Sequence, residues 1–331
     1  MTLIKVNTRG TENIGGRRNL IINGAMQVAE RGTVTNAAPG IYGGADRYQF
    51  SASGGADATL SQDTDVPTGQ GFTSSQKVDV TTSGNMSGSG HYAMIRQKIE
   101  GQNLQHLLYG TSSAKKLTLQ FWVKSPKTGT HIVELYHGDV NYFNSQTYTI
   151  ASANTWQKVT LTFDGYQTTA LDNDSGIGIQ LAWWLGASTT YNSGTFSSNT
   201  WHNDAAKRAV GQVNVFDDAS NNFYFTGVQL EVGDTASDFE HRSFAEELSL
   251  CQRYYFQINF DAGENPLGAY YDSNRSACTQ AFHVQMRIDP TVTSTFSSGG
   301  LQADYSNEHC FRWYGNAQQI SVATAKAEAE L

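Results

Sequence analysis

Charge is scarce in this chain. Asp, Glu, Lys and Arg make up 16 % of its 331 residues, against roughly 25 % in an average soluble domain. Proline is rare, with 5, and cysteine rarer, with 3. Cys251, Cys278 and Cys310 are odd in number and widely spaced, which is neither a disulfide framework nor a zinc pattern. No apolar run approaches the roughly 18 to 20 residues of a membrane span. Residues 1–18 lack the apolar core that a signal peptide needs. With 22 Lys and Arg against 30 Asp and Glu, the net charge is −8. That balance denies the chain the basic face of a phosphate-backbone binder, so no nucleic-acid partner is expected. Gly-x-Ser-x-Gly, Walker and His-Glu-x-x-His motifs are also missing.

What remains is rich in Gly, Ser, Thr, Asn and aromatics, the last at 11 %. Thr and aromatics suit a pleated surface, while Gly, Ser and Asn supply turns. Strand signals recur from Asn19 onward: Asn19–Gly24, Ala45–Phe50, Phe72–Val80 and His91–Ile99. In Leu117–Lys124, Leu117, Leu119, Phe121 and Val123 share one face, with Thr118, Gln120, Trp122 and Lys124 on the other. Trp156–Phe163 and Ile177–Leu185 alternate likewise, the latter setting Trp183 inward and Trp184 outward. Asn222–Val232 is read with Tyr224, Val228 and Leu230 on one face. Such period-2 segments between turns indicate antiparallel sheets with one buried face. Eight or more strands in about 210 residues fit a two-sheet jelly roll.

The period changes after Val232. Ser243 with Glu246 forms a capping box, and Phe244, Leu248, Cys251 and Tyr255 recur at helical spacing. Short strands then return. Ser321–Leu331 alternates Ala323, Ala325, Ala327 and Ala329 against Thr324, Lys326, Glu328 and Glu330. That alternation predicts a final strand, whose small-residue stripe packs within its own domain or at a subunit interface. The expected fold is therefore mainly β: a jelly-roll β-sandwich, a short helix, and a smaller C-terminal β-domain. The boundaries are an arm at 1–18, a sandwich at 19–236, a connecting helix at 237–256 and the C-terminal domain at 257–331.

Several landmarks carry a resemblance. They are Arg18–Val28 with Arg31-Gly32, Ala45–Tyr48, Phe121–Ser125, Asn154–Val159, Phe225–Gly233, Phe239–Ser243, and Glu246, Leu248 and Cys251–Tyr255. In this order they resemble the tail-fibre-like virion structural proteins of tailed bacteriophages. The sandwich part is similar to galactose-binding-like carbohydrate-binding modules. The resemblance implies a homotrimeric fibre or appendage in the virion, assembled in the host cytoplasm, that contacts host surface glycans without enzymatic activity. A decoration or cementing protein that does not bind the host is the alternative, and a polysaccharide depolymerase a third reading. No cofactor is required, although related jelly rolls hold a structural calcium ion.

The site candidates are aromatic, because the C–H face of a pyranose stacks on a ring while amides and carboxylates read its hydroxyls. Trp122 and Trp184 lie opposite the most apolar side of their strands, and Tyr136 shares a parity with Glu134. Together they are read as an outer sheet face; packing beneath loops or against a neighbouring subunit is the other reading. Tyr191, Trp201 and His202 form a second cluster in a long Ser/Thr/Asn loop. Arg9, Arg17 and Arg18 are expected to anchor the arm to other virion proteins, a frayed terminus being the alternative. Leu171–Gly176, with Asp172 and Asp174, reads as half a calcium loop or as an Asx turn. Glu134 is the least implausible catalytic carboxylate, with no partner in view.

Overall fold

The computed structural model describes residues 18–37, 39–259, 269–272, 275–298, 301–315 and 321–331. Eleven strands build the sandwich: β1 Ile41–Tyr42, β2 Gln49–Ala52, β3 Asp57–Asp63, β4 Ser75–Thr82, β5 Tyr92–Glu100, β6 Leu117–Lys124, β7 Gly129–His137, β8 Tyr142–Ile150, β9 Gln157–Phe163, β10 Ile177–Ala187 and β11 Asn222–Val232. One sheet has six strands in the order β1-β2-β5-β10-β7-β8, the other five in the order β3-β4-β11-β6-β9. Neighbouring strands are antiparallel in both. The fold is a mainly β jelly-roll sandwich.

The alternating apolar side chains meet between the sheets. Leu117, Leu119, Phe121 and Val123 are fully buried there with Tyr48, Phe50, Ile95, Trp183 and Phe225. Ring contacts knit the two layers together: Trp183 lies 4.8 Å from Phe225 and 5.6 Å edge-on to Phe121. Burying each such side chain contributes about 1.5–3 kcal/mol. Well-set ring pairs add about 0.5–1.5 kcal/mol each.

Three expectations are corrected. In β11 the register slips between Thr226 and Gln229, where Gly227 adopts φ +63°. An extra residue reverses the parity of everything after it. Phe223 and Phe225 therefore join Val228 and Leu230 in the core, and Tyr224 turns to the outer face. Ala45–Phe50 does not run as one strand either. Asp46 and Arg47 form a turn, with Arg47 at φ +79°, and β2 begins only at Gln49. Asn19–Gly24 is likewise a turn rather than a strand. It is tied to β11 by the Leu20 amide on Leu230 O at 2.9 Å and by the Asn19 side chain on Val228 O at 2.9 Å.

The helix spans Phe244–Gln252, with Ser243 Oγ accepting from the Glu246 amide at 3.3 Å. Beyond it come β12 Tyr255–Asn259, β13 Ala269–Asp272, β14 Arg275–Ala281, β15 Thr291–Ser298, β16 Leu301–Ser306, β17 Cys310–Gly315 and β18 Ser321–Glu328. They form two small sheets, β12-β18-β15 and β13-β14-β17-β16. Ala325, Ala327 and Ala329 are buried against Phe256, Met286 and Phe311. The described part of the alanine stripe thus packs inside its own module.

An ionic clamp joins this module to the sandwich. The Glu330 carboxylate pairs with Arg47, and Arg31 Nη2 lies 3.1 Å from it. Arg47 stacks 3.3 Å above the Tyr254 ring and Arg31 3.8 Å above Tyr255. Arg287 donates to the carbonyls of Ala329, Glu330 and Ser175 at 2.7–2.8 Å. Tyr42 and Lys98 both donate to Leu331 O. Glu100, fully buried, accepts from Arg253 and from the Tyr254 hydroxyl.

Candidate functional site

The two outer sheet faces carry different sets of polar groups. On the five-stranded sheet several of the groups satisfy one another, although the buried Gln120 Oε1 has no partner among the described residues. Lys124 pairs with Asp65 and lies over the rings of Tyr224 (4.3 Å) and Trp156 (5.4 Å). Trp156 Nε1 donates to the same Asp65 at 2.8 Å, and the charged Lys124 hydrogen bond holds the Asp65 carboxyl below its usual range despite the opposing cost of burial. Lys77 pairs with Asp79, and Thr226 donates to Ser74 O at 2.7 Å. Trp122 is half-buried on this face, opposite Thr226 and Lys158.

The six-stranded sheet is different. Alternation sets Ile95, Ile179, Leu181 and Trp183 into the core and leaves Tyr92, Arg96, Lys98, Gln180, Ala182 and Tyr136 on the outside. Register lines them up: Arg96 is opposite Gln49 and Ala182, while Gln180 is opposite Lys98 and Tyr136. Arg96 Nε donates to Gln49 Oε1 at 2.8 Å, and the Tyr92 hydroxyl meets Ser51 Oγ at 3.0 Å. The Tyr136 ring is stacked 5.3 Å from Phe143 and half-buried. Gln180 is only 4 % exposed, yet among the described residues its amide has no hydrogen-bond partner. An amide left without a protein partner is a place for water or ligand. Burial lowers the Arg96 pKa from its ordinary value.

The segment 188–213 covers the far side of this face. Arg208 forks onto Glu134 at 2.7 and 2.9 Å and lies 3.7 Å above Phe143 and 5.0 Å above Trp184. Tyr191 packs 5.3 Å from Trp184. Trp184 is therefore fully buried. It faces outward, as its parity requires, but supplies no platform, because the loop folds over it.

The five aromatic candidates thus occupy three places. Tyr136, Tyr191 and Trp184 share the six-stranded outer face, and Trp122 lies on the opposite sheet. Trp201 packs 5.4 Å from Tyr166 and 6.1 Å from Tyr109, with Nε1 on Asp164 O at 2.7 Å. His202 leaves Trp201 and Tyr191 to pair its backbone with Phe143. Sequence reasoning missed Trp156 and Arg96. Trp156 has the parity of Lys158 and Thr160, on the polar side of β9, which was the readable signal. Arg96 has no signal except its place between the inward Ile95 and Gln97.

Other candidates resolve individually. Glu134 is buried and ion-paired to Arg208, which leaves it no free carboxylate for acid–base work. Asp174 Oδ1 accepts from the Gly176 amide at 2.8 Å, the geometry of an Asx turn. Among the described residues no three His, Cys, Asp or Glu side chains cluster as metal ligands. Cys251 is buried on the helix, and burial pushes its thiol well up. Arg9 and Arg17 lie outside the described residues. Arg18 donates to Asp238 O at 2.7 Å and lies 3.8 Å from Glu231, so its guanidinium is engaged within the sandwich rather than free to anchor a partner.

No protein-family model and no curated protein matches this chain. Among solved structures, it is similar to the enzymatically active domain of tailspike protein 4 of bacteriophage CBA120, at 15 % identity and a TM-score of 0.35 over 65 % of this chain and 21 % of that one. A putative sugar-binding protein from Bacteroides thetaiotaomicron gives 13 %, 0.37, 65 % and 100 % for the same measures. The N-terminal cellulose-binding domain of Cellulomonas fimi β-1,4-glucanase C gives 14 %, 0.30, 60 % and 100 %. These are remote likenesses.

Proposed function

We propose that the chain is a non-enzymatic subunit of a phage virion fibre or appendage, and that its sandwich binds host-surface glycan on the outer face of the six-stranded sheet. The observation that carries the binding part is the unmatched polar character of that face. Gln180 and Arg96 stand beside the half-exposed Tyr92 and Tyr136 rings, and neither the Gln180 amide nor the Arg96 Nη nitrogens have a hydrogen-bond partner among the described residues. A polyhydroxylated ligand supplies both the missing hydrogen bonds and a C–H face for the rings. The virion part rests on the landmarks from Arg18 to Tyr255. In this reading the segment before Arg18 anchors the subunit to other virion proteins, and three copies associate.

The test is retention of the full chain by polysaccharide from the host envelope. Tyr136→Ala is expected to weaken binding by about tenfold, the scale of a lost ring contact. Trp156→Ala, on the opposite sheet, is expected to leave it unchanged. Absence of retention, or loss with Trp156→Ala alone, refutes the binding assignment. Light scattering checks the trimer, and labelled-antibody electron microscopy of the particle checks the virion location.

A further inference from the structure

We propose that the sugar held on the six-stranded outer face carries a carboxylate, and that Arg96 is its partner. This rests on the glycan-binding reading of that face. Arg96 lies mid-sheet on β5, between Gln49 of β2 and Ala182 of β10. Gln49 fixes its Nε at 2.8 Å, which orients the planar guanidinium without neutralising it. Among the described residues no carboxylate lies within 4 Å of Arg96 and no hydrogen bond to protein uses its Nη nitrogens. The neighbouring arginines are compensated: Arg208 by Glu134 and Arg47 by Glu330.

Lys98, two residues along the same strand face, donates to the main-chain oxygen of Leu331. Its ammonium is pushed down to about 8 by burial and by the nearby Arg96 and Arg47, with Glu330 opposing. Arg96, without a carboxylate partner among the described residues, thus shares its sheet face with a second cationic side chain in a chain of net charge −8.

The form of the site selects the ligand. A guanidinium whose Nε is already engaged offers its Nη pair as a planar fork, which matches the two oxygens of a carboxylate. Neutral groups flank it as well: the Gln180 amide, without a protein partner among the described residues, and the Tyr92 and Tyr136 phenols. They suit ring hydroxyls rather than further charge. A sugar residue with one carboxylate fits both halves, whether it is a uronic acid or a sialic acid.

The experiment is calorimetry on the full chain with two matched pairs of probes. One pair is oligogalacturonate and the same oligomer with its carboxyl groups reduced to hydroxymethyl groups. The other is sialyllactose and lactose. The acidic member of at least one pair is expected to bind about tenfold or more tightly than its neutral counterpart, the scale of a charge-assisted hydrogen-bonded pair, and the pair that responds identifies the source of the carboxylate. Arg96→Gln is expected to abolish the preference, lowering the affinity of the acidic member by about tenfold more than that of the neutral one. Arg96→Lys, which keeps the charge and loses the fork, is expected to retain part of it and serves if the glutamine variant does not fold. Equal binding of acidic and neutral members, or a preference that survives Arg96→Gln, overturns the carboxylate assignment and leaves glycan binding standing. No binding to either pair also overturns it, and retention by host polysaccharide then decides separately whether the wider reading falls.

Discussion

Glu330→Ala tests whether the clamp between sandwich and C-terminal module is a structural requirement. Arg47 is 1 % exposed and keeps its charge in the fold because the Glu330 carboxylate, itself 9 % exposed, faces it. Removing one member of a buried pair leaves the other uncompensated, at a cost of about 3–5 kcal/mol. Two contacts soften the loss: Arg47 Nη2 still donates to Lys98 O at 2.9 Å, and the guanidinium still lies over Tyr254, an interaction worth about 0.5–2 kcal/mol. Arg31 retains Asp46 at 3.5 Å. The net expectation is a loss of about 3 kcal/mol. It is read as a lower urea midpoint by tryptophan fluorescence and circular dichroism. Replacing both partners, Arg47→Met with Glu330→Leu, removes the lone charge and is expected to cost clearly less than Glu330→Ala. A loss under about 1 kcal/mol in the single variant, the range of an exposed pair, or a double variant worse than the single, refutes this account.

Two buried titrating groups act in opposite directions with pH. Burial lowers His131 to about 4, so the fold favours its neutral ring; the resulting stability is complete above about pH 6.5 and is lost as pH falls toward 4, a change of about 3 kcal/mol. The stability gap between wild type and His131→Gln should shrink over that window, and a constant gap refutes the shift. Burial raises Glu30 to about 7, so its contribution is complete below about pH 4.5 and is lost as pH rises to 7. Glu30→Gln should therefore gain stability relative to wild type across that range, on the order of 2 kcal/mol, and a gain confined to acid would contradict it. Trp184→Ala should cost about 3–5 kcal/mol in denaturant melts, as a core deletion does; a loss below about 1 kcal/mol means the covering loop is open in solution. At Gly227 an added Cβ would lie 2.6 Å from the Phe72 ring at φ +63°, so Gly227→Ala should destabilise by about 1–3 kcal/mol, and a neutral variant would show that the bulge relaxes.

Local signals made much of the fold legible. Leu117 to Val123 alternate strictly because one face of β6 meets the core and the other does not. Ser243 and Glu246 mark the helix start because the orphan amides there need an acceptor. The site was less legible because it depends on what covers a strand, not on the strand alone. Trp184 has outward parity, but whether it meets a ligand is decided by Arg208, 24 residues away, finding Glu134. Tyr224 was misplaced because a single glycine in αL changes parity, and nothing else in the sequence announces that bulge. The phage resemblance concerned residues distributed over both sheets and the helix, so it could not indicate which face is open.

The way the chain closes on itself also constrains its synthesis. The Arg18 and Asn19 amides are held by the Glu240 carboxylate, the Asn23 amide by Glu247, and Arg31 and Arg47 by Glu330. Each of these early groups waits for a partner more than 200 residues downstream. While the ribosome is still adding those residues, the nascent sandwich carries Arg47 without its carboxylate partner and early backbone amides without their acceptors, an arrangement prone to slow folding and to wrong pairing with neighbouring nascent chains. A product cut short before β18 would lack both the clamp and the central strand of its small sheet. Such a chain should be cleared readily by proteolysis.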